Sequence, residues 1–123
     1  MPVLNIAGVT GLYYNSEVVE GTDCWGKRSD WVNLFGKVQD DPVNIVILDH
    51  PKNVGYPTYW HARGYGLFAA NPLGQSVFSE GKEALNFKLA EGESTVFRYR
   101  ILVHDGSELS KEAIDKSFTE FNQ

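Results

Sequence analysis

The sequence predicts an all-β protein, an antiparallel β-sandwich with one short C-terminal helix. Segments rich in β-branched and aromatic residues recur at short intervals between turn-forming residues, which is typical of sandwiches built from short strands. The clearest pattern comes late in the chain, where Leu85, Phe87 and Leu89 alternate with polar residues and the apolar residues of 97–103 do the same. Alternation with period two predicts strands that bury one face.

Seven strands follow from these patterns. In chain order they are 3–9, 12–15, 29–35, 43–49, 65–70, 84–89 and 94–104. The segment 43–48 is apolar almost without alternation, so it predicts a central strand that is covered on both faces. Residues 90–93 read Ala-Glu-Gly-Glu, which predicts a hairpin turn with Gly92 at positive φ.

One helix is predicted at the end of the chain. Apolar residues between 109 and 121 recur near helical spacing, and Ser110 is of a type favoured at helix N-caps. We therefore expect a short amphipathic helix that packs against a sheet.

Length and charge narrow the class of protein. The 123 residues suit a single domain spanning 1–123. A net charge of −5 and a pI near 5.1, with scattered Lys and Arg, argue against a nucleic-acid partner. No apolar run approaches the ~20 residues that span a bilayer, so no membrane partner is expected. The N-terminus lacks a basic region and a long apolar stretch, which predicts a soluble protein without a secretion signal. The compartment stays open, with the cytoplasm as the default and the periplasm as the alternative if an N-terminal region is missing.

The single cysteine predicts a structural role. Cys24 has no Lys, Arg or His beside it, so a buried hydrophobe is the favoured interpretation over a reactive thiol.

The segment 49–72 holds two of the three histidines, three of the five prolines, and Arg63 among aromatic residues. A loop built only for connection does not need such side chains, so this segment predicts a surface that binds a ligand.

A series of motifs carries a family resemblance. In chain order they are Asn15-Ser16-Glu17, Trp25-Gly26-Lys27-Arg28, Trp31-Val32, Asp49-His50-Pro51, Pro57-Thr58-Tyr59-Trp60-His61-Ala62-Arg63, Tyr65-Gly66-Leu67-Phe68, Ala70-Asn71-Pro72, Phe97-Arg98-Tyr99-Arg100 and His104-Asp105-Gly106. Over nearly the whole chain this order resembles a bacterial domain family labelled methane oxygenase PmoA-like. Members are usually longer, and the chain resembles their C-terminal part.

The resemblance implies a β-sandwich like that of galactose mutarotase and an association with sugar-oxidising and sugar-degrading proteins. It does not imply methane oxidation, because the membrane subunit of that name is a bundle of transmembrane helices and this chain has no apolar span of that length.

Three residues are candidates for catalysis. His50 and His61 are of a type that moves protons near neutral pH, and Arg63 is able to stabilise developing negative charge. For His50 the structural alternative, pinning a turn through a backbone hydrogen bond, has equal weight. For His104 the turn-stabilising role is the favoured interpretation.

Substrate-binding candidates follow from the chemistry of sugars. Sugar C–H faces stack on Trp and Tyr, and sugar hydroxyls accept bonds from Arg and exchange bonds with Asn. The candidates in the segment 49–72 are Tyr59, Trp60, Tyr65 and Asn71. A second polar and aromatic cluster is Trp25, Lys27, Arg28 and Asp30, of which Trp25, Lys27 and Arg28 are also binding candidates.

Three functions remain open at this point. The first is a sugar-active enzyme that uses histidine acid–base chemistry, and the second is a noncatalytic glycan-binding or scaffold module. The third is a metal-dependent enzyme in which His50 and His61 converge with Asp49, Asp23 or Asp30, although their spacing is not diagnostic. The sequence identifies no cofactor. The expected partners are a small-molecule or glycan ligand and a second copy that shields exposed sheet surface.

Overall fold

The computed structural model describes residues 5–6, 9–10, 12–63 and 66–123. The strands are β1 (Asn5–Ile6), β2 (Val9–Thr10), β3 (Leu12–Asn15), β4 (Trp31–Val38), β5 (Asp41–Leu48), β6 (Tyr59–Arg63), β7 (Leu67–Asn71) and β8 (Arg100–Asp105). The helices are α1 (Gln75–Phe78) and α2 (Lys111–Phe121), and Gly21–Cys24 forms a 3-10 turn.

The strands are antiparallel throughout the described part of the chain. Four of them form a sheet in the order β3-β4-β5-β8, while β6 pairs with β7 and β1 pairs with β2. Directly opposed residues lie on the same face of a sheet. The register that pairs Tyr13 with Leu34 and Val32 with Ile47 therefore places these four side chains on one face.

That face packs against the β6-β7 pair. Tyr13, Val32 and Leu34 join Trp60 and Ala62 in one buried apolar cluster. Because Trp60 and Ala62 alternate with the other residues of β6, the remaining side chains of that strand point away from the core.

The opposite face of the four-stranded sheet packs against α2. Trp31, Val46, Leu48 and Ile114 form a second buried cluster, and the indole nitrogen of Trp31 donates to Asp115 at 2.9 Å. The order of layers is therefore the β6-β7 pair, the four-stranded sheet, and helix α2.

The predicted fold class is confirmed: antiparallel strands form a sandwich-like all-β structure with a C-terminal helix. The helix begins after Ser110, whose side chain accepts a bond from the amide of Ala113. The predicted central strand lies between β4 and β8. The helix buries Val46 and Leu48 on one face of this strand, whereas Ile45 on the other face is only half-buried.

Three element predictions are wrong. No strand ladder forms over 84–89 or 94–99 in the described residues, although Glu93 does close the predicted turn onto Ala90. The sequence 59–63, predicted as part of a loop, is strand β6.

The β6-β7 pair covers part of the four-stranded sheet and leaves Ile101 63% and Val103 72% exposed. The predicted strand 3–9 lies partly outside the described residues, and no helix in the described part is both long and apolar enough to cross a membrane.

Candidate functional site

The outer face of β6 is formed by Tyr59, His61 and Arg63, the residues that alternate with the buried Trp60 and Ala62. Two segments from elsewhere in the chain contact this face. Trp25 follows the 3-10 turn, and Phe78 ends helix α1.

Four rings from these segments form a continuous aromatic cluster. The ring of Phe78 stacks on Tyr59 with 5.5 Å between centroids, and it meets His61 edge-on at 5.8 Å. Trp25 contacts Phe78 at 5.3 Å and His61 at 6.2 Å, both edge-on. These distances fall in the range of favourable aromatic pairs. Each ring therefore fixes its neighbours, and the cluster is organised before any ligand arrives.

A guanidinium lies at each end of the aromatic cluster. The Arg63 guanidinium carbon is 4.6 Å from the Trp25 ring centroid, and that of Arg28 is 4.6 Å from the Tyr59 centroid. Arg28 also donates to the carbonyl oxygens of Pro57 at 2.8 Å and Gly55 at 3.3 Å. Arg28 is thus held in place by backbone oxygens, while Arg63 is exposed.

Glu83 closes the Arg28 end of the cluster. Its carboxylate pairs with Arg28 at 3.0 Å and accepts a short hydrogen bond from the hydroxyl of Tyr59. The Tyr59 hydroxyl and then the Arg28 guanidinium hold the pKa of Glu83 below its usual value. These contacts fasten the segment 75–83, which includes Phe78, to strand β6.

The Glu83 contacts predict a pH effect on the segment 75–83. A carboxylate whose folded pKa is lowered stabilises the fold above its unfolded pKa, and this stabilisation is lost as the pH falls through the folded pKa. We expect amide protection of residues 75–83 to be lower at pH 3 than at pH 7 in the parent protein. Glu83→Gln should show the lower protection at both pH values when hydrogen exchange is followed by mass spectrometry.

Glu80→Gln is the matched control, because Glu80 lies in the same segment, is exposed, and makes no ion pair with any residue that the structure describes. Equal protection in the parent and in Glu83→Gln at pH 7 would contradict the fastening role of Glu83.

Two hollows open beside the aromatic cluster. The larger hollow, about 620 Å³, is lined by Gly26, Lys27, Arg28, Tyr59, Phe78, Ser79, Glu80, Lys82 and Glu83. The smaller hollow, about 260 Å³, is lined by Thr22, Trp25, Ala62 and Arg63. Gly26 has a φ of +69°, and a Cβ there would lie 3.3 Å from the Phe78 ring. A glycine at 26 therefore lets the chain pass close to Phe78.

The position of β6 depends on a buried polar network before it. Asp49 accepts bonds from the Asn53 side chain at 2.8 Å and from the Thr58 amide at 2.9 Å. The Asn53 amide group also exchanges two bonds with the backbone of Arg98, at 2.6 and 2.7 Å. Burial raises the pKa of Asp49. Because β6 begins at the residue after Thr58, this network fixes the start of the strand that bears His61.

The structure brings most of the predicted site residues to one face. His61, Arg63, Tyr59, Trp25 and Arg28 belong to the aromatic cluster or contact it. Lys27 lines the larger hollow, and Asn71 is paired with Tyr59 across the β6-β7 pair. Tyr65 lies outside the described residues.

Trp60 is a correction. Its side chain is 0% exposed, lies in the core cluster, and donates from the indole nitrogen to the carbonyl of Ser29 at 2.9 Å. A ring without an exposed face cannot stack on a sugar, so the prediction that Trp60 contacts a ligand is wrong.

His50 lies in a different layer from His61. It is buried beside α2, with its ring 4.9 Å from that of Phe121, and its Nδ1 accepts a bond from the amide of Lys52 at 3.0 Å. This is the turn-pinning arrangement that the sequence left as the alternative. The structure does not bring His50 and His61 together, and the described residues contain no group of three His, Cys, Asp or Glu side chains placed to hold a metal ion.

Sequence reasoning missed Phe78 and Glu83. Phe78 ends a four-residue helix, and Glu83 follows a turn at Glu80 and Gly81 in which both have positive φ. Neither residue sits in a motif whose spacing relates it to β6. A prediction of the turn would place the two on the same short segment, but it would not place that segment on His61.

Fold and site together define a β-sandwich protein with an aromatic and cationic face, on which Tyr59 is buried, the other three rings are half-buried and Arg63 is exposed. The chain belongs to DUF6807, a family of unknown function whose model matches residues 5–119. Comparisons with curated proteins and with solved structures gave no match. The family description names no activity, so the resemblance to methane oxygenase PmoA-like proteins and to galactose mutarotase stays a prediction.

Proposed function

We propose that this protein binds carbohydrate on the outer face of β6. The observation that supports the proposal is the aromatic cluster of Trp25, Tyr59, His61 and Phe78, which has a guanidinium at each end and the two hollows beside it. The half-buried rings of Trp25, His61 and Phe78 offer apolar surface for the C–H groups of a sugar, and Arg63 offers a forked donor for its hydroxyls. Tyr59, which is 6% exposed, supports Phe78 from beneath and does not itself face a ligand.

Pre-organisation favours this role. Phe78 and Trp25 are half-buried, and their rings are held by neighbours on more than one side. A ligand that contacts rings already fixed in place immobilises few side chains, so less entropy is lost on binding.

The geometry supports recognition more than catalysis. The His61 ring lies against Trp25 and Phe78, and it has no carboxylate partner within the described parts of the chain. Glu83 is the carboxylate nearest the cluster's Tyr59, and it is bonded there to Arg28 and Tyr59. A carboxylate whose pKa is lowered is a weak proton acceptor and a poor general acid near neutral pH.

Binding is tested with single variants of the aromatic cluster. We expect Phe78→Ala and Arg63→Ala each to weaken sugar binding by a factor of ~10 to 100, because ring stacking and forked donation are lost. A glycan array identifies the sugar, and titration calorimetry measures the dissociation constant. Val77→Ala is the control, since this neighbour of Phe78 is 77% exposed and lies outside the cluster.

The same binding and variant experiments distinguish a sugar-binding protein from a sugar-active enzyme. Circular dichroism verifies that the variants are folded, and Arg63→Ala is the safer variant because its side chain is exposed. Failure of the parent protein to bind any sugar on the array would overturn the proposal. Turnover of a bound sugar that His61→Gln abolishes would establish the sugar-active enzyme instead.

A further inference from the structure

We infer that the sugar bound on the outer face of β6 carries an anionic group, either a carboxylate or a phosphate ester. This inference rests on the proposed carbohydrate binding and adds the charge of the ligand. It follows from the distribution of charged side chains around the two hollows.

Cations outnumber carboxylates around the two hollows. Lys27, Arg28 and Lys82 line the larger hollow, and Arg63 lines the smaller one. The carboxylates among the lining residues are Glu80 and Glu83. Four cations against two carboxylates leave a surplus of two positive charges, in a protein whose net charge is −5. The two hollows therefore differ in sign from the protein as a whole.

The surplus of two positive charges comes from three unpaired cations, offset by the carboxylate of Glu80. Arg28 is neutralised by Glu83 at 3.0 Å. In the described part of the chain, Lys27, Lys82 and Arg63 make no ion pair within 4.0 Å, and all three are exposed. Their charges are available to a ligand without the loss of an existing ion pair.

The arrangement of these cations suits a ligand larger than a free anion. Arg63 lies on the Trp25 ring, so a sugar that contacts this edge of the aromatic cluster is next to a guanidinium that donates no side-chain hydrogen bond to the residues that the structure describes. A guanidinium binds carboxylate and phosphate through two parallel hydrogen bonds, whereas an ammonium acts as a point charge. Uronic acids and sugar phosphates share the chemistry that such a site recognises.

The test compares matched neutral and anionic sugars by titration calorimetry. The pairs are galactose with galacturonate and glucose with glucuronate, and glucose 6-phosphate distinguishes phosphate from carboxylate. We expect at least one anionic form to bind ~10-fold more tightly than its neutral partner at low salt, with the difference shrinking in 0.5 M NaCl.

Charge variants locate the effect. The double variant Lys27→Gln with Lys82→Gln should lower the ratio of anionic to neutral sugar affinity ~10-fold. Glu80→Gln should act in the opposite direction and raise the affinity for the anionic sugar. Lys116→Gln is the control, because this exposed lysine lies on α2 in the layer on the other side of the four-stranded sheet.

Different outcomes would contradict the inference of an anionic ligand and the proposed carbohydrate binding on which it rests. Equal affinity for neutral and anionic sugars, or a preference for neutral ones, would overturn the anionic ligand and leave carbohydrate binding intact. A preference for anions that persists both in the double variant and in Arg63→Ala would show that none of these three cations selects the anion, which also overturns the inference. Absence of binding by any of the five sugars and by the glycan array would remove carbohydrate binding itself.

Discussion

A Trp60→Ala variant is expected to lose about 3 to 5 kcal/mol of the free energy of unfolding. The indole is 0% exposed and lies between the two sheets with Tyr13, Val32 and Leu34. Its removal leaves a cavity that the surrounding strands cannot fill, and it leaves the Ser29 carbonyl without its 2.9 Å bond. Urea denaturation followed by circular dichroism measures the loss.

A Trp60→Phe variant separates the loss of buried volume from the loss of the indole hydrogen-bond donor. The phenyl ring keeps much of the buried volume but has no donor, so we expect a smaller loss of about 1 to 2 kcal/mol. Leu73→Ala is the exposed control, with no measurable change expected. If Trp60→Ala folds with parental stability, the assignment of Trp60 to the core fails. If Trp60→Phe retains sugar affinity, as we expect, the ligand contacts belong to the outer face of β6.

An Asp49→Ala variant is expected to lose about 2 to 3 kcal/mol of the free energy of unfolding. The buried carboxylate accepts bonds from Asn53 and from the Thr58 amide. Its removal leaves the Thr58 amide unpaired in a buried position immediately before β6. Thermal or urea unfolding measures the loss, and Asp105→Ala at the exposed end of β8 is the control.

Asp49 also predicts the sign of a pH effect. Because burial raises the pKa of Asp49 in the folded state, its ionisation favours unfolding. Its favourable contribution is therefore fully present below the unfolded pKa and declines as the pH rises through the raised folded pKa. The stability difference between the parent protein and Asp49→Asn should accordingly shift in favour of the variant between pH 4 and pH 7. A shift in the opposite direction would contradict the raised pKa.

The sequence predicted the fold where the physical pattern is local. Helix α2 follows from an N-cap and a 3.6-residue apolar period, both of which lie within a dozen residues. Strand β3 was predicted at its observed bounds, Leu12–Asn15. The predictions of strands at 84–89 and 94–99 were wrong for the converse reason. Alternation shows that a segment is able to form a strand, but it does not show which backbone will pair with that strand.

The site was predictable in composition and not in arrangement. Trp25 and Trp60 both lie among aromatic and basic residues, yet one is in the outer cluster and the other is in the core. Alternation within strand β6 places Trp60 in the core and His61 on the outer face, but the sequence predicts a loop over 59–63, where no such alternation is expected. The approach of Phe78 to His61 depends on packing between separate segments, which no local spacing encodes.

The layer order has a practical consequence for labelling this protein. Burial, with Asp23 and Glu20 nearby, raises the pKa of Cys24 to about 11, and its side chain is 0% exposed. Cys24 is the only cysteine of the sequence, so the native thiol should be slow to react with maleimides. A cysteine introduced by Lys116→Cys on α2 would then be the preferred point of attachment. A dye or surface tether placed there has the four-stranded sheet between it and the aromatic cluster, so it reports on the molecule without obstructing a ligand.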